Sequence, residues 1–233
     1  ETPSLKNQII ASPNENEAET LLVIVHDPSR VWARRDPITG DLDSSSSVTV
    51  AQLLRFIDWG LSQKYGIIDI NVPVTVTGEN DIYYNNISAA QDVMLYLWDN
   101  YLQYFKAQKI AFIGAGDAYN GVVHLCGHRE VRHTVMASIN FIDGVTALRA
   151  VVSSIDESIV DWFHHNSLVF TNHQHICWGN ADKHTNAKKP RKKYGRVIRA
   201  DCEGLDGVID ERFEEACDFI LDSFEESDER ETE

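Results

Sequence analysis

Short apolar runs of strand length alternate along the chain with segments whose apolar residues recur at helical spacing. The runs are residues 21–25, 67–72, 109–113, 135–142, 167–171 and 194–199. Two capping-box sequences, Thr49-Val-Ala-Gln52 and Ser88-Ala-Ala-Gln91, indicate helix starts between the early strands. Strands that alternate with helices predict β-α-β units and a parallel sheet covered on both faces. We therefore expect an α/β fold, a three-layer α/β sandwich with a mainly parallel sheet.

The predicted helices each have an apolar face that should pack on this sheet. The first helix would use Leu53, Ile57, Leu61 and Tyr65. The second would use Val93, Met94, Leu97, Tyr101 and Phe105. A third is predicted from Ser154 through Trp162, and the closing helix has a stripe of Ile209, Phe213, Ala216, Cys217, Ile220 and Phe224.

The central stretch runs from the apolar segment 109–113 through Gly114-Ala-Gly-Asp-Ala118 into a helical pattern. In the α/β-hydrolase architecture such a strand–turn–helix is the nucleophile elbow, written small-x-nucleophile-x-small. Gly114 and Ala118 would be the small residues, and the nucleophile position is Gly116, which has no side chain. Together with Asp117 these residues form a degenerate elbow. The sequence therefore predicts an α/β-hydrolase-like scaffold that is catalytically inactive, with no catalytic residue.

The base of a hydrolase triad is missing as well. The triad histidine follows the last strand in chain order, but no histidine occurs after His184. The loop that follows the first buried strand, which supplies an oxyanion-hole amide in hydrolases, contains Pro28, which has no N–H. One alternative makes Asp117 an ester-forming nucleophile with His173 or His175 as base. Otherwise, Asp117 is expected to be the N-cap of the following helix.

Cysteine and histidine usage suggests neither disulfides nor a metal site. Four widely spaced cysteines without a C-x-x-C pair are typical of reduced thiols. His173-x-His175-x-Cys177 could in principle contribute to a zinc site, together with His164-His165 and Cys126-Gly-His128. This spacing matches no established zinc signature, so we expect loop histidines and no metal. No apolar run approaches the roughly 20 residues that span a bilayer, and we expect no membrane partner.

The 233 residues suit one α/β domain, and a start without Met suggests a segment of a longer protein. We expect an N-terminal extension at 1–20, a hydrolase-like domain at 21–226 and an acidic tail at 227–233. Residues 31–47 form a polar insertion that could be a protruding hairpin arm or a disordered surface loop. If the arm is ordered, an exposed Trp favours a subunit interface. The arm residues expected there are Val31, Trp32, Arg34, Arg35 and Ile38.

Charge is unevenly distributed over a chain whose net charge is -15. Residues 183–199 carry a net charge of +8, whereas residues 201–233 carry -13. A strongly negative surface repels nucleic acid and attracts cationic proteins, such as histones. Candidate histone-binding residues on the closing helix are Glu211, Glu214, Glu215, Asp218, Asp222 and Glu225. The alternative is a solvated helix face. The basic run Lys188–Lys193 is typical of a nuclear localisation signal or a phosphate-contacting loop, or else pairs with the acidic tail.

These features together resemble one family. They are the strand that ends in Val25-His-Asp-Pro28, the elbow Ile113-Gly-Ala-Gly-Asp-Ala-Tyr119, the strand Leu168-Val-Phe-Thr-Asn-His173, and the basic loop before the acidic helix. The chain resembles the Arb-two (argonaute-binding-protein-two-like) domain that follows the catalytic domain in fungal class II histone deacetylases.

The resemblance implies a hydrolase-like fold without hydrolase activity in a nuclear deacetylase that acts in chromatin silencing. It implies roles in chromatin anchoring and in self-association as a homodimer. Together with the acidic surface, it leads us to expect histones as partners, and other subunits of a deacetylase complex as further partners. The zinc of such an enzyme is expected in its catalytic domain, with no cofactor in this one. Two alternatives stay open: a residual esterase or Asp-nucleophile hydrolase, and a scaffold for another silencing-complex subunit.

Overall fold

Seven strands and five helices form the fold of the chain in a computed structural model, which describes residues 9–27, 48–72, 86–153, 156–179 and 190–232. The strands are β1 (Ile9–Ala11), β2 (Thr20–His26), β3 (Gly66–Asn71), β4 (Lys109–Ala115), β5 (Val135–Ile142), β6 (Ser167–Asn172) and β7 (Arg196–Ala200). The helices are α1 (Val48–Ser62), α2 (Asn86–Asn100), α3 (Tyr119–His128), α4 (Ser158–Asn166) and α5 (Gly204–Thr232).

All seven described strands belong to one sheet with the order β1-β3-β2-β4-β5-β6-β7. Only β1 is antiparallel to its neighbour, and the other adjacent strands are parallel. The α/β prediction is therefore confirmed. His26 at the end of β2 lies opposite Ala115 at the end of β4. The segments that follow these two strands consequently meet at the carboxyl edge of the sheet.

Alternate residues of the central strands enter two separate cores, as expected for a sheet covered on both faces. Leu22 and Ile24 pack with residues of α1 and α5, including Phe56 and Ile220. The odd-numbered residues of β2, such as Val23, pack with α2, α3 and α4. The molecule is thus a three-layer α/β sandwich, with α1 and α5 on one face.

Helix α1 packs on the sheet with most of the predicted residues, since Leu53 is buried and Ile57 and Tyr65 pack against the core, but Leu61 does not. Phe56 is fully buried, whereas Leu61, which was predicted to be in the core, is 48% exposed. The physical reason is Gly60: a Cβ atom there would lie 2.7 Å from Ile67 Cδ1 and 2.9 Å from Leu22 Cδ2. Because Gly60 has no side chain, the helix approaches the sheet at this residue and Leu61 turns outward.

Two other helices have bounds that differ from the prediction. Helix α2 ends at Asn100, so Tyr101 lies beyond it and is 49% exposed. Helix α4 begins at Ser158 and not at Ser154, which lies outside the described residues. The carboxylate of Asp156 accepts a hydrogen bond from the Ser158 amide at 2.7 Å, which satisfies a donor of the first turn.

The described residues near both ends of the chain belong to secondary-structure elements of the fold. Strand β1 places residues 9–11 in the sheet, and α5 continues to Thr232, with Ser227 buried. The fold therefore reaches beyond both ends of the predicted range 21–226. None of the described helices is long and apolar enough to cross a membrane. The four cysteines are free, and Cys126 and Cys217 are buried.

Candidate functional site: a sealed nucleophile elbow

Strand β4 passes into helix α3 through a single 3₁₀ turn at Gly116–Ala118. A Cβ atom on Gly114 would lie 2.6 Å from Asn140 Oδ1 and 2.8 Å from Tyr119 Cβ. Gly116 has a φ angle of +69°, a left-handed conformation that favours glycine. The close approach of strand and helix and the positive φ angle are both features of a nucleophile elbow. The predicted turn is therefore present, with glycine at its apex.

The carboxylate of Asp27 occupies the space at this apex. Asp27 directly follows β2, and its Oδ2 atom would lie 2.2 Å from a Cβ atom on Gly116. The same oxygen accepts a hydrogen bond from the backbone amide of Asp117 at 2.6 Å. In a hydrolase, the amide of the residue after the nucleophile lines the oxyanion hole. Asp27 thus fills the place of a nucleophile side chain and also takes the oxyanion-hole donor.

Asp117 is not the N-cap that the sequence suggested. It lies within the 3₁₀ turn, and the residue that precedes α3 is Ala118, whose side chain makes no capping hydrogen bond. The Asp117 amide in this turn is bound by the carboxylate of Asp27, which follows β2. The side chain of Asn120 adds a further bond, because its Nδ2 atom donates to the Asp117 carbonyl at 2.7 Å.

Burial raises the pKa of Asp27 to about 6. The backbone amides of Asp117 and Ala118 and the nearby His26 favour the ionised carboxylate, whereas the charge of Asp117 opposes it. The Oδ1 atom of Asp27 is buried without a hydrogen-bond partner. The Asp27 carboxylate, which we call the plug, is therefore held in an environment that only partly stabilises its charge.

His26 lies beside the plug and is paired with a different acid. Its Nε2 atom lies 3.3 Å from Asp69 Oδ2, and its Nδ1 atom donates to the Asp27 carbonyl at 3.0 Å. Burial acts to lower the pKa of His26, but the hydrogen bond and charge of Asp69 outweigh it and the pKa is raised. When it is protonated, His26 therefore forms a partly buried ion pair with Asp69 that joins β2 and β3.

The histidines considered as bases are bound to the backbone elsewhere. His175 uses both ring nitrogens: Nε2 donates to the Thr146 carbonyl at 2.8 Å, and Nδ1 accepts from the Cys177 amide at 3.1 Å. His173 donates through Nδ1 to the Cys202 carbonyl at 3.1 Å. These bonds hold the loop after β6 against its neighbours. The described part of the chain brings no three His, Cys, Asp or Glu residues together as metal ligands.

The predicted acidic surface divides into two groups. Arg212 forms ion pairs with Glu211 at 3.2 Å and Glu215 at 2.9 Å, so these two acids neutralise a cation of their own helix. Glu211 also accepts from the Asp201 amide. The remaining four are exposed on α5: Glu214, Asp218, Asp222 and Glu225.

The basic segment makes contacts at its described end, where Lys192 pairs with Asp161 and Arg199 with Asp201. Residues 180–189 lie outside the described residues, as does the whole arm segment 31–47. The interface prediction for Val31, Trp32, Arg34, Arg35 and Ile38 consequently stays a prediction.

The fold and the turn define an α/β-hydrolase-like domain that has glycine at the nucleophile position. More narrowly, the chain belongs to the Arb2-like domain family, whose profile matches residues 1–227. The resemblance inferred from the sequence is therefore confirmed.

Relatives and solved structures agree with this family. The chain is 49% identical over 221 residues to histone deacetylase HDA1 of Saccharomyces cerevisiae, and 29% identical over 215 residues to histone deacetylase clr3 of Schizosaccharomyces pombe. These alignments cover 94% and 92% of this chain, which spans only 30% of the length of either relative.

Two solved structures are similar to the present one. A histone deacetylase structure from Saccharomyces cerevisiae has a TM-score of 0.76 at 46% identity, over 95% of this chain and 88% of that one. The structure of the histone deacetylase Clr3 has a TM-score of 0.74 at 28% identity, over 94% of this chain and 34% of that one.

Proposed function

We propose that this chain is a non-catalytic binding domain of a class II histone deacetylase that acts in the nucleus in chromatin silencing. The family and the two deacetylase relatives support the association with a deacetylase. The observation that carries the non-catalytic part is the Asp27 carboxylate at the elbow, which fills the nucleophile space and binds the Asp117 amide. The zinc ion of such an enzyme would belong to its catalytic domain.

The absence of catalysis in this domain has a direct test. The purified chain should not hydrolyse a generic aryl ester above the rate of the buffer, because the elbow offers neither an attacking side chain nor a free oxyanion-hole amide. Asp117→Asn serves as the matched variant, since it removes the one carboxylate of the turn itself. Ester hydrolysis that disappears in this variant would establish the Asp-nucleophile alternative instead.

Histone binding is the function proposed for the acidic face of α5. Four exposed carboxylates lie along this helix without the Arg212 ion pairs that neutralise Glu211 and Glu215. A row of exposed acids attracts cationic proteins with an affinity that falls as salt rises. Calorimetric titration with histone dimers and tetramers should show heat of binding at low salt. A titration without heat would contradict this proposal.

Homodimerisation through the arm at 31–47 is part of the same proposal, and it rests on the sequence of the arm. Deletion of residues 35–46 should convert a dimer to a monomer in sedimentation, because the arm would no longer cross the interface. Persistence of the dimer after this deletion would reject the arm as the contact. Pull-down from nuclear extract without chromatin would reveal binding to other subunits of a deacetylase complex.

A further inference from the structure

A small polar cleft lies between α2, α3 and the segment that follows β5, and it encloses about 180 Å³. Its polar lining consists of Gln91, Asn120, His124, His128 and Arg149. We call this space the α3 cleft. It is much smaller than the roughly 300–1,000 Å³ of pockets for drug-sized ligands, so it suits a group of a few atoms.

The wall that carries Arg149 is fixed by buried contacts. The hydroxyl of Tyr119, a fully buried residue, donates to the Ala147 carbonyl at 2.8 Å and accepts from the Arg149 amide at 2.6 Å. On the opposite side, a Cβ atom on Gly127 would lie 2.2 Å from the Val152 carbonyl oxygen. Helix α3 and the segment 149–152 therefore pack closely, and these contacts set the position of the cleft wall.

Arg149 brings a cation into the α3 cleft without a counterion among the described residues. Its Nε atom is buried and makes no hydrogen bond, and its guanidinium is in no ion pair of the described chain. A buried donor without a partner is unfavourable, so a ligand that accepts from it would be stabilised. The neighbouring Arg129 differs, because Asp99 holds it with two hydrogen bonds of 2.7 and 2.6 Å.

Two stacked imidazoles form the adjoining wall. The rings of His124 and His128 have centroids 3.8 Å apart, and His128 donates through Nδ1 to the His124 carbonyl at 2.9 Å. Burial and the charges of His128 and Arg129 lower the pKa of His124, while the charge of Asp92 acts in the opposite direction. Burial is the main cause of this lowered pKa, so the imidazole of His124 is held in an environment that disfavours its charged form.

Asn120 adds an acceptor to these donors. Its Nδ2 atom donates to the Asp117 carbonyl, which leaves a buried Oδ1 atom without a partner. A phosphate that carries one proton offers acceptor oxygens to the Arg149 guanidinium and an O–H to the Asn120 oxygen. We propose that the α3 cleft binds a single phosphate group, either as inorganic phosphate or as the phosphoserine of a peptide.

Calorimetric titration of the chain with inorganic phosphate, at low and constant ionic strength, tests this site. Saturable binding should weaken at least about tenfold in Arg149→Gln, because a hydrogen bond to a charged group is lost. Arg191→Gln is the control, since it removes an exposed arginine that does not line the cleft. A phosphoserine peptide and its unphosphorylated form make the second arm, which distinguishes the peptide from the free ion.

A readout on the unaltered chain does not depend on the folding of any variant. In an NMR titration, phosphate should raise the pKa of His124, because a bound anion stabilises the imidazolium. Equal binding by the chain, Arg149→Gln and Arg191→Gln would overturn the proposal, as would an unchanged His124 titration at phosphate concentrations that saturate the heat. Stoichiometric zinc at His124 and His128 without phosphate binding would overturn it too.

Discussion

The Oδ2 atom of Asp27 and the backbone amide of Asp117 are joined by a hydrogen bond of 2.6 Å across 90 residues of sequence. The bond connects the segment after β2 with the turn after β4, the two places from which a hydrolase draws its oxyanion hole. The backbone amide that would donate to an oxyanion is thus present, but it is already bound to Asp27. The elbow therefore differs from that of a hydrolase in two residues: Gly116, which has no side chain, and Asp27, which binds the oxyanion-hole amide.

Gly116→Ser should destabilise the chain by about 2–4 kcal/mol, because a left-handed residue and an overpacked side chain each have a cost. Urea unfolding measures the change. Gly179→Ser is the matched control, since Gly179 has a φ angle of +71° with nothing within 4 Å of an added Cβ. The loss of stability in Gly179→Ser should reflect backbone strain alone. Equal costs at the two glycines would contradict a clash with Asp27.

A double-mutant cycle isolates this contact further. Gly116→Ser combined with Asp27→Ala should cost less than the sum of the two single substitutions, because the carboxylate that the serine meets is gone. Additive costs would show that the two sites are independent.

Asp27→Asn should raise the free energy of unfolding at pH 7.5 by about 2 kcal/mol, because the folded protein no longer holds a carboxylate whose pKa is raised. The folded pKa of Asp27 is about 6, against the ordinary aspartate pKa of 3.8, so the stability associated with Asp27 is present below pH 3.8 and is lost as the pH rises through about 6. The amide oxygen of asparagine still accepts from Asp117.

Unfolding between pH 4 and pH 8 is the measurement for Asp27→Asn, with the exposed Asp58→Asn as control. The free energy of unfolding of the Asp27 variant should change less with pH across this range than that of the unaltered chain. An identical pH dependence in the two proteins would mean that Asp27 does not titrate as described.

Asp69→Asn should lower the pKa of His26, because the hydrogen bond and charge that raise it are removed. The His26–Asp69 pair adds stability that is present below the unfolded pKa of histidine and is lost as the pH rises through the raised folded value. The variant should therefore be less stable than the unaltered chain at pH 5.5, by about 1–3 kcal/mol. NMR titration of His26 gives the pKa, and an unchanged value would exclude Asp69 as its partner.

Neutralising the four exposed acids of α5, as Glu214→Gln, Asp218→Asn, Asp222→Asn and Glu225→Gln together, should weaken histone binding about tenfold or more at low salt. The control neutralises four exposed acids elsewhere: Glu19→Gln, Asp58→Asn, Glu157→Gln and Glu203→Gln. Both variants have the same net charge. If both lost the same affinity, the attraction would come from overall charge and not from the helix.

The sequence was a good guide to the strands, because buried parallel strands are nearly continuous apolar runs. Strand β5 was predicted at its observed bounds, and β3 and β6 within one residue. The buried faces of the helices were harder to predict from the sequence. In α1, Gly60 allows a close approach to Leu22 and Ile67, which belong to other elements.

The elbow was readable from its glycines, but its plug was not. In the sequence, Asp27 is simply an acidic residue before a proline. Its contact with the elbow follows from the pairing of β2 with β4 in the sheet. The same holds for Arg149 in the α3 cleft, whose position depends on a hydrogen bond to Tyr119. Local patterns specify elements, whereas these contacts arise from strand order, which a single sequence states only indirectly.

Gly116 and Asp27 also limit what substitutions can do to this scaffold. A serine at the apex meets the carboxylate, and removal of the carboxylate alone leaves a turn with glycine at its apex. A serine nucleophile at this apex therefore requires a change at both residues, together with a base within reach of the serine. Residues 27 and 116 therefore constrain each other's substitution, and this epistasis comes from a single contact between the segment after β2 and the turn after β4.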